Sequence, residues 1–391
     1  MTRTRYLIVG SGMTADAAVS GIRELDSSGS IRLIGDDPHP AYNRPPLTKG
    51  LWKGDPESGI WRSASTQGVE LLSGRRAAAL DVQKRVVTDD QGETHEYDKL
   101  LLATGCAPRQ LPGAPEGVIY YRTLDDYRHL RAAIAPGRRF VVIGGGFIGS
   151  ELAAALAMNG QSVALVFPEA GIGARVFPSD LSVSLNDFYR GKGVTVHPGA
   201  RVEKITRTGT VFSVDLGGQT LTADVVVAGI GVIPNTQLAQ AAGLTTNDGI
   251  VVDAHLQTSA ADVFAAGDVA RFPCVALQRP RRVEHEDAAN TQGKQAGRAM
   301  AGDKSEYTHL PFFYSDLFDL GYEAVGEVDS RLQVFADWKT PFKEGVLYYR
   351  HEGRVEGVLL VNTWGQVDKA RELIASRKVF PDAELRGRIS A

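Results

Sequence analysis

VVIGGGFIGSE, residues 141–151, is a β-branched run that breaks into glycine and resumes as a helix. Val141, Val142 and Ile143 suit a strand buried in a parallel sheet. Gly144, Gly146 and Gly149 follow at G-x-G-x-x-G spacing, and from Glu151 the chain is rich in Ala and Leu. Each glycine has its own task. The first makes a tight turn, the second lets a pyrophosphate approach the backbone, and the third lets helix and strand pack closely. The phosphates would sit at the helix N-terminus, where free N–H groups and the dipole favour negative charge.

The pattern occurs twice. Residues 6–18 read YLIVGSGMTADAA; Gly10 and Gly12 match Gly144 and Gly146, and Ala15 takes the third place, a permitted variant. One such turn also serves plain packing. Two in one chain imply two dinucleotides, and so an enzyme that passes electrons between them.

The bulk numbers bound this reading. A chain of 391 residues is too long for one ordinary core and suggests two or three domains. With 43% hydrophobic and 23% charged residues it has the balance of a globular protein. A net charge of −3 carries no signature of nucleic-acid or membrane binding. The opening MTRTR runs straight into YLIVG, too short for a signal-peptide core, so a soluble cytoplasmic protein is expected. Cys106 and Cys274 fall in no C-x-x-C or C-x₄-C pattern and each reads as a small buried residue.

Outward from the first turn, residues 15–25 suit a helix and 31–34 a strand, with Asp36 and Asp37 at its end. Asp36 is the favoured acid for a ribose hydroxyl. The loop 42–49, YNRPPLTK, carries Arg44 and Lys49 on a backbone stiffened by two prolines. Residues 69–97 alternate in character between turn signals and predict antiparallel strands. A buried strand at 100–103 then ends in Ala103-Thr104-Gly105, small residues that leave room for a ligand at a sheet edge. The Pro- and Gly-rich 108–115 marks a domain boundary.

Outward from the second turn, residues 163–166 predict a strand leading into FPEAGIGAR. Glu169 is the available ribose acid and Arg175 the lone nearby base, whereas a 2′-phosphate wants a basic cluster, so NADH is preferred over NADPH. GIGVIPN at 229–235, with Gly231, closes this domain. Residues 250–268 return to strand signals and end in VFAAGD; if that strand joins the first sheet, the first domain is split by the second. Arg279, Arg281 and Arg282 precede Glu284 and His285. They read equally as a docking face for an acidic redox partner or as local partners of Glu284, Glu286 and Asp287. Beyond 309 the chain predicts strands at 322–328, 345–349 and 355–361 and a helix at 366–376, a third, α+β domain.

These pieces in this order resemble the two-dinucleotide flavoproteins, the FAD/NAD-linked reductase family of glutathione reductase fold, over essentially the whole chain. GSGMTA looks like the FAD turn, RPPLTK the flavin-side loop, ATG the second FAD motif, AAGD the third, and GGGFIGSE the NADH turn. The cysteine pair of the disulfide reductases is absent. The chain is similar instead to the branch of apoptosis-inducing factor and the bacterial NADH–ferredoxin reductases. RRVEHEDA, FFYSD, GYEAVG, FPEAG and EGVLYY…VEGVLLVN resemble the former most closely, though Tyr314 stands where a tryptophan is usual.

The resemblance implies an α/β fold with two Rossmann-like dinucleotide-binding domains and a C-terminal α+β domain. The FAD domain, 1–110 and 234–305, is split by an NAD domain at 111–233, and 306–391 forms the third. FAD is implied at Gly10, Gly12, Ala15, Asp36, Arg44, Lys49, Ala103, Thr104, Gly105, Gly267 and Asp268, with Glu284, His285 and Tyr314 close by. NADH is implied along Gly144, Gly146, Phe147, Ile148 and Gly149, near Glu151 and Gly231, with Glu169 on its ribose. Lys49, Glu151, Phe147, His285 and Tyr314 form the implied catalytic set: Phe147 against the nicotinamide, Lys49 and Glu151 as an ion pair near flavin N5. With no dithiol relay, electrons would leave from the flavin itself. The implied acceptor is a ferredoxin-type iron–sulfur protein. The alternatives are a quinone, a dye or oxygen, or a slow redox-sensing role in which the NADH-bound state recruits a partner. No metal is implied, and a monomer or homodimer is expected.

Overall fold

The computed structural model describes residues 3–64 and 68–389. Two strand–turn–helix units recur: β1 (Thr4–Val9) into α1 (Met13–Arg23), and β2 (Arg139–Ile143) into α2 (Phe147–Met158). The chain divides into two compact units. The first gathers Met1–Arg44, Pro56–Ala107 and Ile233–Pro311, and the second Pro45–Asp55, Pro108–Val232 and Phe312–Ala391.

In the first unit β1 lies inside a seven-stranded sheet. Tyr6, Leu7, Ile8 and Val9 are all buried, as an apolar run covered on both faces should be. Ile31–Gly35 and Thr94–Leu102 flank β1 in parallel register. Val263–Ala265 adds beside Thr94–Leu102, with Val263 opposite Leu100, so chain from both ends of the unit shares one sheet. Helix α3 (Glu286–Met300) packs on α1 through glycines. A Cβ at Gly293 would lie 2.4 Å from Thr14 O, and one at Gly297 2.1 Å from Ala18 O. Only glycine permits that approach.

The expectation of antiparallel strands throughout 69–97 needs one correction. Glu70–Ser73 runs parallel to Ile31–Gly35 as the sheet edge. Ala77–Asp81 and Val86–Asp89 are antiparallel and lean on the start of Thr94–Leu102. A four-residue strand carries too little period to reveal its direction; the neighbouring chain decides it.

In the second unit β2 lies inside a five-stranded parallel sheet, between Ser162–Phe167 and Val225–Ala228. An antiparallel meander of Lys204–Thr208, Val211–Asp215 and Thr220–Ala223 covers it. Ile205, Phe212 and Val214 close that core on Val141, Ile143 and Val166. The same unit holds a five-stranded antiparallel sheet, in order β3 (Phe312–Leu317), β4 (Leu320–Gly326), Arg354–Val361, Glu344–His351 and Gln333–Thr340. The helix Val367–Ala375 packs against β4 and Arg354–Val361. Two of these strands, β3 and Gln333–Thr340, were not anticipated. Gln333–Thr340 is an edge strand with no buried residue, so alternation is faint there.

Candidate functional site

The turn after β1 shows the separate tasks of its glycines. Gly10 has φ +124, and a Cβ there would lie 2.3 Å from Ala103 O. A Cβ at Gly12 would meet nothing nearer than Arg44 Nη2 at 4.0 Å, so the backbone is open with a guanidinium beside it. No side chain caps α1. Its first-turn acid, Asp16, is held by Arg62 at 2.8 Å, which keeps that carboxylate from opposing an anion at the helix start. Asp37 accepts from Tyr42 Oη at 2.9 Å and His39 N at 3.0 Å, whereas Asp36 is exposed. The exposed acid is the one favoured from sequence.

The small-residue motifs meet the same region. Ala103 N donates to Val9 O, and Thr104 and Asn235 exchange hydrogen bonds of 2.8 Å, Oγ1 to backbone O and Nδ2 to backbone O. Thr104 thus ties the returning chain down, and Gly105 O accepts from Asn235 N. Gly267, with φ +78, sits where a Cβ would lie 2.3 Å from Thr14 Oγ1, and its N–H donates to Gln292 Oε1. His285 is the N-cap of α3; burial pulls its pKa down to about 4 despite Asp268 and Asp287, so the ring is neutral at pH 7. Glu284 pairs with Arg282 at 2.9 Å. Arg282 is 10% exposed, pairs also with Asp248 at 3.3 Å and donates to Asp268 O, so of the two readings of this arginine run local pairing holds for Arg282. It is part of the fold.

The second turn repeats the geometry. Gly144 has φ +113 with Gly229 O 2.3 Å from its missing Cβ, Gly146 faces open space, and a Cβ at Gly149 would lie 1.9 Å from Gly144 O. No side chain caps α2. Phe147 is 41% exposed with Phe313 edge-on at 5.0 Å, and Ile148 beside it is also exposed. Gly231 has φ +96, and its carbonyl accepts from Arg109 N. At the end of Ser162–Phe167, Glu169 lies 3.7 Å from Arg175, whose side chain is otherwise exposed.

Glu151, on α2, is 4% exposed and gathers three donors. Lys49 Nζ and Ser315 Oγ meet its Oε1 at 2.7 and 2.5 Å, and Thr48 Oγ1 meets Oε2 at 2.5 Å. Lys49 Nζ also lies 5.4 Å from the Tyr314 ring centroid. The loop that delivers Lys49 is pinned at Leu47, whose carbonyl accepts from Trp52 Nε1 at 2.7 Å and from the Tyr121 hydroxyl. A buried carboxylate needs such company, since removing the partner of a buried ion pair costs about 3–5 kcal/mol. Sequence reading found Lys49 and Glu151 but missed Thr48 and Ser315. Both lie inside motifs, RPPLTK and FFYSD, with no local sign of their target.

Two other candidates are placed. Both cysteines are buried and neither forms a disulfide. Asp89, Glu93 and His95 hold ligand atoms within 4.8 Å of one another, but Arg75 bridges Asp89 and Glu93 at 2.7 and 2.5 Å, so the protein supplies its own cation there.

Residues 4–293 match the model of the pyridine nucleotide-disulphide oxidoreductases. The chain belongs to that family. Residues 296–341 match the mitochondrion-associated C-terminal region of apoptosis-inducing factor. The chain is 34% identical to apoptosis-inducing factor 1, mitochondrial, of Dictyostelium discoideum, over 97% of this chain and 79% of that protein. It is 33% identical to the ferredoxin–NAD(+) reductase component of the anthranilate 1,2-dioxygenase system of Burkholderia cepacia, over 98% and 97%. The solved covalent putidaredoxin reductase–putidaredoxin complex contains a chain that matches with a TM-score of 0.91 at 30% identity, covering 98% of this chain and 96% of that one.

The family binds FAD and NAD(P)H, and this member is an NAD(P)H-dependent flavin oxidoreductase. Its residues fit those groups. Each unit offers an uncapped helix start behind an open second glycine, the donor set a pyrophosphate requires, and an acid at the end of the next strand, Asp36 or Glu169. Among the described residues no helix is long and apolar enough to cross a membrane.

Proposed function

We propose that the chain takes electrons from NADH through FAD to a ferredoxin-type iron–sulfur protein. FAD belongs to the first unit, on Gly10, Gly12, Asp36, Arg44, Gly267 and Asp268. NADH belongs to the second, along residues 144–149 with Glu169 at the ribose. The bound dinucleotides supply the hydride chemistry; the protein's residues bind, orient and exclude water. Glu151 and Lys49 form a fixed ionic pair at the nicotinamide end, and Phe147 offers an aromatic face.

The observation that carries this reading is the pair of open, uncapped glycine turns, one of them beside a buried Lys–Glu pair. The likeness to a reductase solved in covalent complex with putidaredoxin supports the protein acceptor. The likeness to apoptosis-inducing factor across both parts of the chain supports a second reading, a slow redox-sensing protein. A stopped-flow record of flavin reduction by NADH and by NADPH, then turnover with a ferredoxin, a quinone and oxygen, tests all of this. Rapid reduction by NADH and a saturable dependence on ferredoxin are expected. Turnover only with small acceptors rejects the ferredoxin assignment, and turnover too slow with every acceptor favours the sensor.

A further inference from the structure

Ser315 is fully buried and its hydroxyl ends on Glu151 Oε1. The hairpin that carries it is fastened to the same helix a second time. At the turn between β3 and β4, Phe318 holds φ +60, and its ring meets Tyr189 edge-on at 5.1 Å. Tyr189 in turn donates its hydroxyl to Ser150 O at 3.0 Å. Lys192 adds an ion pair with Asp319 at 2.6 Å. The hairpin therefore grips α2 at two consecutive residues, Ser150 through Tyr189 and Glu151 directly. Packing alone explains the Phe318 contact. It does not explain a hydroxyl at a fully buried position, which is unfavourable unless it is hydrogen-bonded.

We propose that Ser315 is a positioning residue: the β3–β4 hairpin, with Thr48 from the other side, sets the place of the Glu151 carboxylate against the nicotinamide end of the substrate. Among the described residues Lys49 and Ser315 meet Oε1 and Thr48 alone meets Oε2, which holds the carboxylate in one orientation and leaves Oε2 a further lone pair. The inference rests on reading residues 144–151 as the NADH turn. ADP-ribose shares the adenosine and pyrophosphate of NAD⁺ but lacks the nicotinamide, so the two ligands separate the helix start from the Glu151 end.

Calorimetric titration of the FAD-loaded protein with each ligand provides the test, on the wild type, Ser315→Ala, Ser315→Thr and Thr48→Val. Loss of one hydroxyl is expected to weaken NAD⁺ about three- to tenfold, the range of a net hydrogen bond, with ADP-ribose unchanged. Ser315→Thr keeps the hydroxyl and restores NAD⁺ affinity. Thr48→Val gives the same split through Oε2 even if Ser315→Ala does not fold. Equal weakening of both ligands makes the hydroxyls structural and overturns the proposal, as does no change in either. If the wild type binds neither ligand, the reading of the turn itself falls, and this inference with it.

Discussion

In the turn after β1, Gly10 has φ +124 and its missing Cβ points 2.3 Å from Ala103 O; in the turn after β2, Gly144 has φ +113 and the same 2.3 Å to Gly229 O. The turns part at the third position. Ala15 carries a Cβ and is buried without conflict, whereas a Cβ at Gly149 would stand 1.9 Å from Gly144 O. What presses on each helix differs as well. Glycines of α3 bring backbone against α1, while α2 meets hydroxyls and an ammonium around Glu151. A shared motif thus fixes the turn and leaves the chemistry around it to the neighbours. After the open Gly12, the first turn buries Met13 and Thr14. The second exposes Phe147 and Ile148 beside charged side chains, which suits a ligand that comes and goes.

The largest effect should come from crossing the two turns. Gly149→Ala forces a methyl into the Gly144 carbonyl; a loss of about 1–3 kcal/mol in urea unfolding is expected, together with loss of NADH-dependent flavin reduction. Ala15→Gly should cost about 1 kcal/mol of helix propensity and leave bound flavin in place. Equal behaviour of the two variants would erase the distinction drawn at the third position.

His285 sharpens the contrast from the side of the enclosed unit. Unfolded, it protonates near its ordinary 6.5; folded, it stays neutral until about pH 4. Its burial is therefore tolerated above pH 6.5 and penalised progressively as pH falls toward 4, where the unfolded state binds the extra proton. Discounted for partial exposure, the loss is about 2 kcal/mol between pH 7 and 4.5. Denaturant midpoints should fall less steeply with acid in His285→Gln than in the wild type. Parallel slopes would remove His285 from the account.

On the exchanging side, Glu169→Ala should weaken NADH by about 1–2 kcal/mol, the net worth of a charged hydrogen bond to the ribose. Nearly equal kcat/KM for NADH and NADPH in the wild type would overturn that role. The smallest effect is expected at the cysteines. Cys106 donates to Asp268 O at 3.6 Å and Cys274 is buried, its thiol pushed up by burial, so neither is a ready thiolate. A Cys106→Ser, Cys274→Ser protein should keep its flavin and its turnover with dyes. Retained flavin with lost turnover would reveal a thiol step.

The sequence by itself determined whatever local chemistry dictates. Positive φ and close approach make Gly10 and Gly144 legible, β-branched runs announce β1 and β2, and two prolines announce the loop that carries Lys49. Tertiary structure decided what depends on distant chain. Sequence favours Asp36 over its neighbour, but only the fold shows that Asp37 is engaged by Tyr42 and His39 while Asp36 is exposed. Glu70–Ser73 takes its direction from the strand beside it, and Arg282 is drawn inside by Glu284, Asp248 and the Asp268 carbonyl. Thr48 and Ser315 reach Glu151 across 103 and 164 residues, and no periodicity or spacing rule extends that far. Only burial of the carboxylate, which must find donors wherever the fold brings them, makes those two hydroxyls part of the site.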